Sequence, residues 1–133
     1  MIDLLLNTPD WAKVKNLSNA QLAAMAAMAG EGVPLIDIRR EMEWEQTGVI
    51  EGSHLITFFH ERDKYDLDGW LAGFDKVAGR DKPFILVCRH GIRTAKLGRF
   101  LDGRQDFSQV HHLQYGISAW IEAGRPVEFH EPE

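Results

Sequence analysis

Cysteine is almost missing from this sequence: Cys88 is the one thiol among 133 residues. That count excludes an internal disulfide and any multi-cysteine zinc site, so the thiol is either a small apolar filler or a reactive group. No apolar run approaches the roughly 18 residues that a membrane span needs, and no membrane partner is expected. The opening residues, Met1-Ile2-Asp3-Leu4-Leu5-Leu6, have neither a basic leader nor an adequate apolar region, so no secretory signal is expected. With a single cysteine, the expected location is the reducing cytoplasm. An excess of positive charge is also lacking. Fifteen basic residues face 20 acidic ones, for a formal net charge of -5, whereas a nucleic-acid footprint calls for a basic domain. Repeats, low-complexity tracts and dividing linkers are absent too, so residues 1–133 are expected to form one domain.

What remains is an ordinary globular balance, 44% hydrophobic and 26% charged. Residues 18–28 read as a helix, with Ser18 as N-cap, Gln21 three residues later as in a capping box, and Leu22, Met25 and Met28 near one face. The short apolar run at 33–38 has the length of a buried strand. Residues 40–46 suggest a charged helix with Trp44 facing inward. Glu41, Glu43 and Glu45, spaced by two, are spread around it on a solvated face. A strand is expected over 54–58 and a helix over 67–77. Residues 84–87, Phe-Ile-Leu-Val, are the clearest buried strand, entered through Pro83. Helices over 94–101 and 117–123 flank a last strand at 110–113. Strands alternating with helices predict an α/β fold, with a mostly parallel central sheet and helices on both faces. Ligands of such sheets bind beyond the carboxyl ends of the strands, where Asp37 and Cys88 both fall.

The segment Cys88-Arg89-His90-Gly91-Ile92-Arg93-Thr94 must turn tightly from a strand into a helix, and Gly91 is suited to a positive φ there. Such a loop can aim backbone N–H groups at one point, beside a helix N-terminus. The reactive form of cysteine is the thiolate. Cationic neighbours and a helix N-terminus can bring a thiol from about 8.5 to about 7.5 or below. Arg89 and Arg93 supply such charge and can hold an anionic substrate.

This loop resembles the active-site loop of the rhodanese family, Cys-Arg-x-Gly-x-Arg-Ser/Thr. Leu35-Ile36-Asp37-Ile38-Arg39 is similar to the family's Asp-x-Arg strand end, and Gly48-Val49-Ile50-Glu51-Gly52-Ser53 to its Gly-His-Ile-Pro-Gly-Ala turn. Leu113-Gln114-Tyr115-Gly116-Ile117-Ser118-Ala119-Trp120 and Gly124-Arg125-Pro126-Val127 resemble its closing segments. These segments fall in the family's order across residues 33–127. Val49, Glu51 and Tyr115 depart from the family pattern, at positions bearing on the pocket rim rather than on the nucleophile.

The resemblance implies a sulfurtransferase with Cys88 as the sulfur-carrying nucleophile. Arg89, His90, Gly91, Ile92, Arg93 and Thr94 would form the loop that binds substrate and persulfide. The donor would be a small thiosulfate-like anion. The acceptor would be an external thiol or cyanide, including a protein thiol. No metal or organic cofactor is implied. Asp37 is expected to orient the loop or satisfy backbone amides near it, and Arg39 to be a structural ion-pair partner. His111 and His112 look like a metal pair, but strand neighbours point to opposite faces, so no metal is expected there. Two other readings stay open. A Cys-dependent phosphatase or arsenate reductase uses a Cys-x5-Arg loop, whereas four residues separate Cys88 from Arg93. A non-catalytic module of the same fold would be expected to lose the cysteine or the loop charges.

Overall fold

The computed structural model describes residues 15–17 and 32–131. The helix expected over 18–28 lies outside them. Among the described residues one sheet contains β1 (Lys15–Leu17), β2 (Leu35–Asp37), β3 (His54–Leu55), β4 (Phe84–Val87) and β5 (Val110–Leu113). Their order is β1-β5-β4-β2-β3, and every neighbouring pair is parallel. Parallel neighbours need crossovers. These carry α1 (Glu41–Thr47) between β2 and β3, α2 (Leu67–Asp75) before β4, and α3 (Ile92–Asp102) between β4 and β5. After β5 comes α4 (Gly116–Glu122).

The expectation of an α/β fold with both faces covered is met, and side-chain alternation along β4 shows how. Phe84, Leu86 and Cys88 enter one core with Ile36, with Trp70 and Phe74 of α2, and with Leu97 and Leu101 of α3. Ile85 and Val87 enter the other with Leu35, Leu113, and Ile117 and Trp120 of α4. All four β4 residues are buried, which explains their unbroken apolar run. Burying each contributes about 1.5–3 kcal/mol, enough to fix β4 as the central strand. Phe74 ties the first core together, with its ring centroid 5.4 Å from Trp70 and 4.8 Å from Phe84.

Element ends differ from the sequence expectation in instructive ways. The strand expected over 54–58 is regular only at His54–Leu55. Beyond it the backbone still bonds to the β2 side, through Ile56 N to Asp37 O and Phe58 N to Ile38 O, while Phe58 drops into the core. Helix α3 begins at Ile92 rather than Thr94, because the glycine before it already serves as the N-cap. Trp44 faces inward as expected, but Glu43 is not solvated: its side chain is 16% exposed and ion-paired to Arg93. The C-terminal segment returns to α1. Val49 and Glu128 form an antiparallel bridge, and His130 reaches Glu41 at 2.9 Å and packs edge-on to Trp44.

Candidate active site

Cys88 follows β4 directly, at the carboxyl edge of the sheet. Three residues later Gly91 caps α3 with φ 87° and ψ -4°, the left-handed region that only glycine adopts without strain. A Cβ there would also collide with the carbonyl of Gln114. The carbonyls of the loop are held from the far side. Ile117 N donates to Cys88 O at 2.8 Å and Ser118 N to Arg89 O at 3.0 Å. These donors belong to the first turn of α4, whose amides have no partner within the helix. Gly116 lets that turn approach, since a Cβ on it would strike Arg89 O and Cys88 O. With two loop carbonyls drawn toward α4, the Gly91 amide is left to face the sulfur. It donates to Cys88 Sγ at 3.2 Å.

The second polar contact of the sulfur is Thr94 Oγ1, at 3.4 Å. Thr94 lies one turn into the 11-residue helix α3, so the sulfur also sits at the positive end of a helix dipole. Thr94 Oγ1 is in turn 2.9 Å from His112 Nδ1 and 3.3 Å from Gly91 O. Cys88, Thr94 and His112 are all buried, at 1%, 0% and 3% exposure. Burial, and then the positive charge of Arg99, pushes His112 down to about 4. Its ring is therefore uncharged near neutrality.

The carboxylate of Asp37 is taken up by Arg39. Nε and Nη2 of Arg39 donate to Oδ1 and Oδ2 at 3.0 and 2.9 Å, and the Arg39 amide donates to Oδ1 at 3.1 Å. Arg39 also reaches Thr47 Oγ1 at 2.7 Å and Gly48 O at 3.0 Å. It is thus the structural ion-pair partner that the sequence suggested, locking β2 to the end of α1. The backbone amide that Asp37 satisfies is that of Arg39.

Arg93 points at α1 and grips Glu43 with two bonds of 2.8 and 2.7 Å. That bidentate bond raises the Arg93 pKa above its ordinary value against the opposing effect of burial, and the charges of Glu43, Cys88 and Asp37 add to it. Burial alone would raise Glu43, but the hydrogen bond and charge of Arg93 outweigh it and hold the carboxyl low. Arg93 therefore lies close enough to Cys88 for their charges to interact, while its hydrogen bonds go to Glu43. Of the other loop residues, Arg89 is half-buried, while His90 and Ile92 are exposed at the mouth, Ile92 at 70%.

The structure thus gathers Cys88, Gly91 and Thr94 around one sulfur, with Arg93 nearby and Asp37 acting on Arg39. Sequence reasoning missed His112 and Glu43. For His112 a usable signal existed, because pairing β4 with β5 puts Leu86 opposite His112, on the face that carries Cys88. His111 lies on the other face, with Nδ1 2.9 Å from Gln109 O, and the two rings do not converge. For Glu43 there was none, since its partner lies 50 residues away.

A parallel sheet with a cysteine loop closed by α4 defines a rhodanese-type architecture, and the family profile described as rhodanese-like domain matches residues 18–123. The chain belongs to that family. Among its relatives is the thiosulfate sulfurtransferase GlpE of Shewanella oneidensis, 33% identical over 109 residues, covering 82% of this chain and 94% of that one. GlpE of Pseudomonas syringae is 29% identical, over 71% of this chain and 77% of its own. Among solved structures, a rhodanese-related protein of Thermoplasma volcanium superposes with TM-score 0.63 at 26% identity, over 87% and 99% of the two chains. A Rhodopseudomonas palustris protein of unknown function, described as a possible tyrosine phosphatase, superposes with TM-score 0.64 at 26% identity, over 86% and 85%.

Proposed function

We propose that this chain is a single-domain sulfurtransferase that carries sulfane sulfur on Cys88 as a persulfide. The observation that supports this most is the seat of Sγ, with an amide, a hydroxyl and a helix N-terminus turned toward an otherwise apolar position. In the first step the Cys88 thiolate attacks the outer sulfur of a thiosulfate-like donor. The new S–S bond forms as the old one breaks, and sulfite leaves with the bonding electron pair. In the second step an acceptor attacks the outer sulfur and the Cys88 thiolate departs, giving thiocyanate from cyanide or a persulfide from a thiol. Splitting one transfer into two is covalent catalysis, and it requires no cofactor. Donors turned toward the anionic sulfur stabilise it as an oxyanion hole does oxygen. Arg89, His90 and Ile92 form the rim that meets the donor, Arg93 contributes its charge, and Asp37 steadies the strand end through Arg39.

With Cys88 the sole cysteine of this sequence, no second thiol within it can discharge the persulfide. The sulfur leaves to an external acceptor. Phosphatase chemistry is disfavoured by the four-residue spacing and by the engagement of Arg93 with Glu43. The test is mass spectrometry after incubation with thiosulfate. The expected result is one added sulfur on the Cys88 peptide, lost again at a rate proportional to added thiol or cyanide, and absent in Cys88→Ser. Sulfur transfer that survives in Cys88→Ser, or Cys88-dependent hydrolysis of an aryl phosphate without persulfide, overturns the assignment.

A further inference from the structure

His112 has no part in the chemistry above, yet its ring ends on the residue that touches the nucleophile. It lies on β5, on the sheet face shared with Cys88, 2.9 Å from Thr94 Oγ1, which is itself 3.4 Å from Cys88 Sγ. At 0% exposure for Thr94 and 3% for His112, water does not compete for these groups.

A threonine hydroxyl has one proton to give. Around Thr94 Oγ1 stand three acceptors: Gly91 O at 3.3 Å, Cys88 Sγ at 3.4 Å and His112 Nδ1 at 2.9 Å. A bare Nδ1 would be the nearest, would take the hydroxyl proton, and would leave the sulfur, among the described residues, with the Gly91 amide. An Nδ1 that bears hydrogen reverses the chain. It donates to Oγ1, and the hydroxyl turns to the sulfur, whose negative charge makes it a stronger acceptor than the Gly91 carbonyl. The ring is uncharged near neutrality, so it has one N–H to place. Among the described residues, the charge of Arg99 on α3 acts on His112, and the charges of Glu43, Cys88 and Asp37 act on Arg93.

We propose that His112 is a positioning residue for Cys88, its Nδ1–H holding the Thr94 oxygen so that the Thr94 hydroxyl is directed onto the sulfur anion. The inference rests on the reading of Cys88 as the nucleophile. It deepens that reading by giving the anion a second, oriented donor.

The test has two readouts on the full chain. Nitrogen-15 NMR of the histidines reports which ring nitrogen of His112 carries hydrogen, and the pH profile of Cys88 alkylation by iodoacetamide reports the stability of the thiolate. The expected results are an Nδ1–H form of His112 and a Thr94→Val midpoint displaced upward by about one pH unit. His112→Leu moves the midpoint the same way, and the double variant moves it no further than Thr94→Val alone. His112→Asn, whose amide can donate from the same place, restores it. An Nε2–H form in the thiolate state overturns the inference, as does a folded His112→Leu with an unchanged midpoint. If His112→Leu does not fold, Thr94→Val, His112→Asn and the NMR signature still decide. Because alkylation needs no sulfur donor, failure to form a persulfide with these midpoints intact rejects the proposed function and leaves the positioning role standing. A persulfide that forms while the midpoints ignore His112 does the reverse.

Discussion

Arg39 carries its charge at 0% exposure, and it stays there because all three nitrogens of its guanidinium find acceptors. Such a pair does not add much stability over an apolar equivalent, but breaking it strands the other charge. Arg39→Met is therefore expected to cost about 3–5 kcal/mol in urea unfolding, since Asp37 remains buried without its partner. Asp37→Asn in that background should recover part of the loss. His112 makes a second residue-scale prediction, through pH. Its ring titrates near 6.5 in the unfolded chain but only at about 4 in the folded one. Between those values the unfolded state binds the extra proton, so stability is full above about 6.5 and falls as pH drops toward 4. The loss attributable to His112 is roughly 3 kcal/mol. Thermal or urea unfolding from pH 7 to 4.5 should show a shallower decline in His112→Asn than in the parent, and parallel curves would contradict the burial argument.

At the scale of elements, β4, β5 and the cysteine loop were legible because each is a local pattern. Phe84–Val87 is a closed apolar run, and Gly91 sits at a positive-φ turn into a helix that dictates its type, three residues after the one cysteine. What could not be read was anything set by a partner far along the chain. The spacing of Glu41, Glu43 and Glu45 suggested a solvated face, yet the α1 position of Glu43 meets Arg93 on α3. Likewise the role of His112 depends on the register between β4 and β5, which no single stretch encodes. The junction of α4 with the loop yields an elemental prediction. Gly116 has φ 69° and packs against the carbonyls of Cys88 and Arg89. Gly116→Ala should cost about 2–4 kcal/mol, from positive-φ strain and overpacking together. The persulfide yield should fall in the folded variant, because the pushed-back α4 releases the carbonyls it holds. Full yield with unchanged stability would mean that the junction is loose.

Across the whole molecule, the sheet order places the strand of Cys88 between β2 and β5, so both flanks of the site are supplied by neighbours distant in sequence. The return of the C-terminal segment extends the same arrangement. Trp120 Nε1 holds Pro126 O at 2.8 Å, the Val49–Glu128 bridge follows, and His130 rests on Glu41 and Trp44. Helix α1, which carries Glu43, is thus clamped from the far end of the chain. Removing residues 126–131 is expected to loosen Glu43 from Arg93 and to speed amide exchange in α1 ahead of α3, as hydrogen-exchange mass spectrometry would show. Uniform exchange in both helices would argue that the segment is ornamental.

The hold of α4 on the loop also has a meaning in time. A ribosome delivers Cys88 well before Ile117 and Ser118, with 28 residues still to be joined in between. During that interval the carbonyls of Cys88 and Arg89 lack the α4 amides that hold them in the folded chain, and the strand that brings His112 is still being added. The contacts that hold the Cys88 loop are thus completed only after the loop itself has been made.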